Sequence, residues 1–289
     1  MTPPHTPFDG SSKPFTIGLK PLDPAEWIEI DAHHEAYIAE KRRLYAERSG
    51  DVFAAEADTV DAQHEVFTLL RDHLATRFPE LSVASADPEL PPLKAAALMV
   101  QEDLVLMRRS ANGWRLAAAS LCFPSSWSLA EKFGRPLADI HAPVPQFGAG
   151  TRNAGLIERM FDNLQGQFVM RWNWSLQTNP DLYHPLSGFQ RDERATSKPS
   201  RFGEDPGAAA FIRVERQTLR KLPRSGDILF TIRIHLDPMR RLASHPDRAT
   251  VAASFAEQLG ELDAAQLDYK GLTADRDRLV ASLRAIAAG

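Results

Sequence analysis

CFPSSWSLAEKFGRPLADIHAPVP, residues 122–145, is the stretch on which the reading of this sequence turns. It holds four prolines, a tryptophan and one histidine, His141, followed at once by Ala-Pro-Val-Pro. Proline fixes φ at about −65° and drives the residue before it toward extended geometry. A helix through Leu137–Ile140 must therefore end about where His141 stands, and the stiff segment after it holds the ring in place. Such a histidine either caps a helix or hydrogen-bonds within the core, or it presents a ring nitrogen to a ligand. The stretch alone allows both.

Outward from this segment the hydrophobic period changes. On its N-terminal side, Ala97–Arg108 and Trp114–Phe123 read as two β-runs around Ser110-Ala111-Asn112-Gly113, where Asn-Gly is a strong hairpin signal. On its C-terminal side, Asn153–Leu164 reads as a helix, with Leu156, Ile157, Met160, Phe161 and Leu164 recurring along it. Phe168–Thr178, Phe211–Arg220 and Ile228–Leu236 read as three further strands. A hairpin, a helical crossover over Ser128–Leu164 and a three-strand meander predict an α+β fold: a PAS-like antiparallel sheet with helices on one face. Helices extend it at both ends. One stretch is opened by Asp23-Pro24 and runs to about Arg48, and a second spans about Ala57–Arg77. Val251–Leu262 and Ala274–Ala288 close the chain. Ser82–Pro92 reads as a linker, Asn179 to Pro206 as a long polar loop, and residues 1–14 as a flexible tail before a single domain over 15–289.

Composition narrows the functions. Charged residues make up 25%, hydrophobic residues 43%, and the formal net charge is −4, which advertises neither nucleic acid nor an anionic membrane as a partner. No apolar run approaches the roughly 20 residues of a membrane span. The N-terminus lacks the pattern of a secretory signal, so the expected compartment is the cytoplasm. A single cysteine excludes an internal disulfide and any iron–sulfur or zinc site built from several thiolates. Cys122 itself, among apolar residues at a strand end, reads as a small buried hydrophobe rather than a nucleophile. His64, His73 and the pair His33–His34 read as interfacial or surface residues. There is no dinucleotide fingerprint, P-loop, His-Glu-x-x-His or Gly-x-Ser-x-Gly.

Alternation puts Arg171, Asn173 and Ser175 on one side of their strand and Trp172, Trp174 and Leu176 on the other. On the next strand, Arg213, Glu215 and Gln217 alternate in the same way. A face carrying these groups either meets solvent, with its charges paired across strands, or borders a cavity. In a cavity, arginines bind carboxylates bidentately.

The segments QEDLVLM (101–107), CFPSSW (122–127), EKFGRPL (131–137), IHAPVP (140–145), RWNW (171–174), RVERQTLRKLP (213–223), FTIR (230–233) and YKG (269–271), in this order, carry a resemblance. The sequence is similar to the haem-dependent oxidative N-demethylase alpha-subunit-like family from PLDPAEWIEID (21–31) to YKG. The resemblance implies a PAS-like subunit holding haem b. Such a subunit uses dioxygen to demethylate a small secondary amine, dimethylamine in the characterised type, and releases formaldehyde. Its electrons come from NADPH through FMN and an iron–sulfur cluster, centres that this chain's one cysteine and missing fingerprint assign to a separate reductase. The long loop, with Arg191, Arg194, Lys198 and Arg201, is either the docking surface for that reductase or a solvated loop with no partner. His141 is the expected axial iron ligand, with His184 and His235 as alternatives. Arg171, Arg213 and Arg216 are the expected partners of the haem propionates, although alternation keeps Arg213 and Arg216 from sharing a face of a regular strand. Glu215, with Asn173 and the aromatic face of Trp174, is expected to orient the amine. A non-catalytic haem-binding sensor, or a module for another small molecule, is the competing function.

Overall fold

A computed structural model describes residues 3–81, 89–186, 193 and 200–289. Five long strands form the sheet foreseen from the sequence: β3 (Asp103–Ser110), β4 (Gly113–Ser120), β5 (Phe168–Gln177), β6 (Phe211–Lys221) and β7 (Ile228–Pro238). Two short strands, β1 (Lys20–Pro21) and β2 (Phe53–Ala55), extend its edges. Every neighbouring pair is antiparallel, in the order β1-β5-β6-β7-β3-β4-β2. Numbered among themselves in chain order, the five long strands run 2-1-5-4-3.

Local chemistry explains the turns. Gly113 takes φ +98°, the left-handed region that the Asn-Gly hairpin requires, and Ser110 Oγ donates to its carbonyl at 2.8 Å. Between β6 and β7 the Glu65 carboxylate accepts the backbone N–H groups of Arg224 and Ser225 at 2.7 and 2.9 Å.

Helices cover both faces of the sheet. On one face lie Val105 and Met107 of β3, Leu219 of β6 and Ile232 of β7, packed with Leu137, Ile140, Ile157 and Phe161 of the crossover. That crossover contains three helices, over Leu129–Lys132, Leu137–Ile140 and Arg152–Asn163. On the other face the terminal extensions pack. Leu104, Leu106 and Leu229 meet Val66, Leu70 and Leu93 of the N-terminal helices Val60–Arg77 and Pro92–Ala97. Trp174, Leu176, Ile212 and Val214 meet Val251, Phe255 and Leu279 of the C-terminal helices Arg248–Gly260 and Arg276–Ala288. Burying each large apolar side chain contributes about 1.5–3 kcal/mol, so the extensions are integral to the fold. No helix among the described residues is long and apolar enough to cross a membrane.

Several expectations are corrected. The β-run read from Ala97 starts instead at Asp103, because Pro92 at the first helical turn and Ala95-Ala96-Ala97 build a short helix. The first helix covers only His34–Glu47. After a 3₁₀ turn over Pro24–Glu26, the segment to His33 is held non-helical by the sheet, with Asp31 N–H donating to Gln101 at 3.1 Å and Glu29 N–H to Glu102 at 3.0 Å. The stretch read as a tail does not hang free from residue 3 onward: Phe8 is fully buried and stacks on Phe255 at 4.0 Å. The linker read at Ser82–Pro92 lies mostly outside the described residues.

Three buried charges meet where the hairpin gives way to the crossover. The Asp103 carboxylate accepts the N–H groups of Cys122 and Phe123, both at 2.8 Å. Lys41, fully buried on the helix His34–Glu47, donates to the carbonyls of Ala97, Val100 and Glu102. Arg213 donates to the carbonyl of Phe123 at 2.6 Å. Burial raises Asp103 to about 6, against the pull of Lys41, of its two N–H donors and of Arg213. Asp103→Ala leaves two N–H groups and two cations buried without their carboxylate, and is expected to cost about 3–5 kcal/mol in urea unfolding. The raised value sets a sign: between the ordinary 3.8 and about 6 the folded state binds the extra proton, so this group's contribution to stability falls as pH rises through that window. The stability deficit of Asp103→Asn should therefore narrow from pH 4 to pH 6, and a deficit that widens would refute this protonation scheme.

Candidate functional site

Between the crossover and the sheet lies a cavity open to solvent at one side. Its outer wall is apolar, formed by Ile140, Val144, Phe147, Ile157 and Phe161, and broken by His141. His141 caps the helix Leu137–Ile140, as the prolines predict, and its N–H bonds the carbonyl of Leu137 at 3.1 Å. Its half-buried ring meets Phe147 edge-on at 6.3 Å and makes no hydrogen bond among the described residues. Burial, reinforced by the charges of Lys132 and Arg171, lowers its pKa to about 4, so the imidazole is neutral at pH 7.

The inner wall is the sheet face whose polarity was ambiguous in the sequence. Strand register sets Arg171 opposite Gln217, Asn173 opposite Glu215 and Ser175 opposite Arg213. Paired residues share a face, so all six point to the crossover side. Asn173 Nδ2 and Gln217 Nε2 donate to the same oxygen of Glu215, at 3.3 and 2.7 Å. Arg171 lines the cavity too. Its Nε is buried without a hydrogen-bond partner, and burial lowers its pKa although the charge of Glu215 opposes this.

Other nominated residues lie elsewhere. Arg213 is wholly buried beneath the cavity, with its donors on the carbonyls of Phe123 and Leu182 and on Gln177 Oε1, at 2.6, 3.3 and 3.4 Å. It has no free fork for a carboxylate. Arg216 projects from the opposite face. There its Nη1 bonds the carbonyl of Trp27 at 3.0 Å and its Nε lies 3.3 Å from Glu29. Trp174 is on that face as well, its ring against Phe255 at 4.9 Å and its Nε1 donating to Gln258 at 3.3 Å. It therefore gives the cavity no aromatic wall. His235 also faces away, 2.9 Å from Glu29, whereas His184 lines the cavity. Cys122 is fully buried, and burial pushes its thiol up to about 12, which suits a packing residue. Arg191, Arg194 and Lys198 lie outside the described residues. Arg201 turns inward from that loop to line the cavity, its backbone N–H bonded to Asp275 at 2.7 Å.

One cavity residue escaped the sequence reading. Lys270 ends the helix Ala264–Lys270, donates to the carbonyl of Trp174 at 2.5 Å and lies 4.3 Å from the centre of that indole ring. Burial lowers its pKa to about 8, against the charge of Glu215 and with that of Arg171. The helix carrying it was signalled by Asp263 and Gln266, a reciprocal capping box, and by Gly271 in the left-handed conformation at φ +65°.

An apolar wall presenting a neutral imidazole, facing a wall with an unanswered guanidinium, is what a flat apolar macrocycle with anionic edges requires. The family model described as haem-dependent oxidative N-demethylase, alpha subunit-like, matches residues 18–280. The chain belongs to that family. The family name indicates haem dependence and one subunit of a larger oxygenase system, and the donor set of the cavity fits the first of these. In this N-demethylase alpha-subunit-like chain, Arg171→Leu is expected to weaken haem retention by about 10- to 100-fold, the worth of one charge-assisted hydrogen bond. Arg216→Leu, on the far face, should leave retention within about twofold. Equal losses in the two variants, measured by haem transfer to an acceptor protein, would show that Arg171 has no special part.

Proposed function

We propose that this chain is the PAS-like, haem b-binding catalytic subunit of a monooxygenase-type oxidative N-demethylase acting on a small secondary amine. The observation that carries this reading is the placement of His141 across one cavity from the set Arg171, Asn173, Glu215 and Gln217. The reaction takes a methylamine, dioxygen, two electrons and two protons to the demethylated amine, formaldehyde and water. Bound haem supplies dioxygen activation, and a separate flavin and iron–sulfur reductase supplies electrons from NADPH.

The chain's own residues supply the rest. His141 would hold the haem iron through an unprotonated ring nitrogen, fixed by the helix before it and the prolines after it. Arg171 answers a propionate. Glu215 accepts an N–H of the protonated amine, while Asn173 and Gln217 hold the carboxylate in one orientation. The apolar crossover wall excludes water and selects for a small alkyl substituent. Lys270 places a cation in the same cavity, where its charge and that of Glu215 attract.

The test is formaldehyde release from dimethylamine and related secondary amines by the haem-supplemented chain with a surrogate electron donor. His141→Ala should lose or shift the Soret band. Glu215→Gln should keep the band and lower kcat/KM by about 10- to 100-fold, the loss of one hydrogen bond to a charged partner. A coloured protein that releases no formaldehyde from any amine is a sensor rather than an enzyme. A normal Soret band in His141→Ala passes the role of iron ligand to His184, the other histidine of the cavity.

A further inference from the structure

On the sheet face away from the cavity, two histidines and a glutamate converge from three separate parts of the chain. His5 comes from the N-terminal segment, Glu29 from the stretch after the first 3₁₀ turn, and His235 from β7, where it is paired with Val214. His5 Nε2 lies 3.1 Å from one Glu29 oxygen and His235 Nε2 lies 2.9 Å from the other. All three donor atoms fall within 4.8 Å of one another. We propose that His5, Glu29 and His235 bind one divalent late-transition cation, zinc being the ion this donor set suits, and that the cation clips the N-terminal segment to the back of the sheet.

The separations carry the argument. Nitrogen and oxygen donors around zinc sit about 2.0–2.2 Å from the metal, which places tetrahedral neighbours about 3.3–3.6 Å apart. The observed N···O distances of 2.9 and 3.1 Å are a few tenths of an ångström shorter, and all three donor atoms lie within 4.8 Å of one another, so small side-chain rotations that open the cluster around an ion suffice. The side chains are also held. The ring of His5 packs against Trp172 at 4.5 Å and edge-on against His235 at 4.6 Å. Glu29 is anchored by its N–H to Glu102 at 3.0 Å and oriented by Arg216 Nε at 3.3 Å, the outer support that ligating carboxylates usually have. Burial alone would raise the carboxyl of Glu29, but the hydrogen bonds from His235 and His5 and the charge of Arg216 hold it well below the usual range. His235 is pushed down by burial, which favours the neutral ring that a metal needs. The positive charge of Arg216 counts against a cation and is offset by this carboxylate. Two imidazoles and one carboxylate leave a fourth position for water, and they select zinc, cobalt or nickel over magnesium or calcium. Three residues beyond His5, Phe8 stacks on Phe255, so a bound ion would fasten an arm that one apolar contact already seats.

The experiment titrates Zn²⁺ into the haem-loaded full chain by calorimetry while the Soret band is recorded. One equivalent should bind, the Soret band should not move, and Tm should rise in the presence of zinc and fall back with chelator. His5→Ala removes a partly exposed ligand and should keep the circular dichroism of the parent. It should bind zinc at least about 100-fold more weakly, more than an outer-sphere partner costs. His235→Ala should behave alike, and Co²⁺ in the parent should give the visible bands of a tetrahedral site. Should the chain take up no haem, the same titration on His141→Ala protein keeps the cavity histidine out of the count, so this site is judged apart from the proposed activity. Absence of a one-equivalent binding event, or unchanged zinc affinity in His5→Ala, overturns the proposal and leaves the cluster an ion-pair network.

Discussion

The buried carboxylate of Asp103 is the constraint on which the rest of the architecture depends. It sits at the start of β3 and accepts two consecutive N–H groups of the segment that leaves β4, those of Cys122 and Phe123. A chain leaving a central hairpin for a long crossover exposes backbone donors at the point of departure, and inside a protein these must find acceptors. The same point is tied from both sides. Arg213 of β6 takes the carbonyl of Phe123, and Lys41 takes three carbonyls between Ala97 and Glu102. Charged groups at such depth cost desolvation and persist because each is answered by several partners. Their effect is to set where the crossover begins, and therefore how far from the sheet it can lie. The width of the cavity follows from that.

With the crossover so placed, the two faces of one sheet divide their tasks by strand parity. On β6, Arg213, Glu215 and Gln217 face the crossover while Val214 and Arg216 face the terminal extensions. The odd positions build the floor of the cavity and its foundation. The even positions tether the N-terminal segment through Trp27 and Glu29. Two arginines three residues apart thus do opposite things, and neither does what Arg171 does. Arg171 alone of the three borders the cavity: Arg213 is held beneath it by the carbonyls of Phe123 and Leu182, and Arg216 faces the other side of the sheet.

The places where sequence reading failed share a cause. The run from Ala97 is apolar because it is buried both as helix and as strand, and periodicity does not separate the two over so few residues. Trp27 and Ile30 fall at helical spacing, yet their segment is held non-helical by Gln101 and Glu102, which lie 70 residues beyond Asp31 and 73 beyond Glu29. Phe8 lies in a proline-rich tail by composition, and only the helix Arg248–Gly260 gives it a partner. The capping box at Asp263 was in the sequence and was passed over. Attention to it would have placed Lys270 at a helix end, though not beside the cavity.

The sequence by itself determined the five long strands of the sheet, the hairpin at Asn112-Gly113, the helix end at His141 and the alternation that groups Arg171 with Asn173 and Arg213 with Glu215 and Gln217. Each of these is a local property: a proline's φ, a turn's need for glycine, the two-residue period of a strand. The motifs also carried the family. Only the tertiary structure decided which way the polar face looks, because both directions satisfy the same alternation and the outcome depends on what packs over it. It decided likewise that Arg213, Arg216 and Trp174 stand outside the cavity. It also brought His5, Glu29 and His235 together across more than two hundred residues (His235–Glu29 |i−j| 206). No local rule holds such information, since it arises from the long-range burial of two faces by opposite ends of the chain.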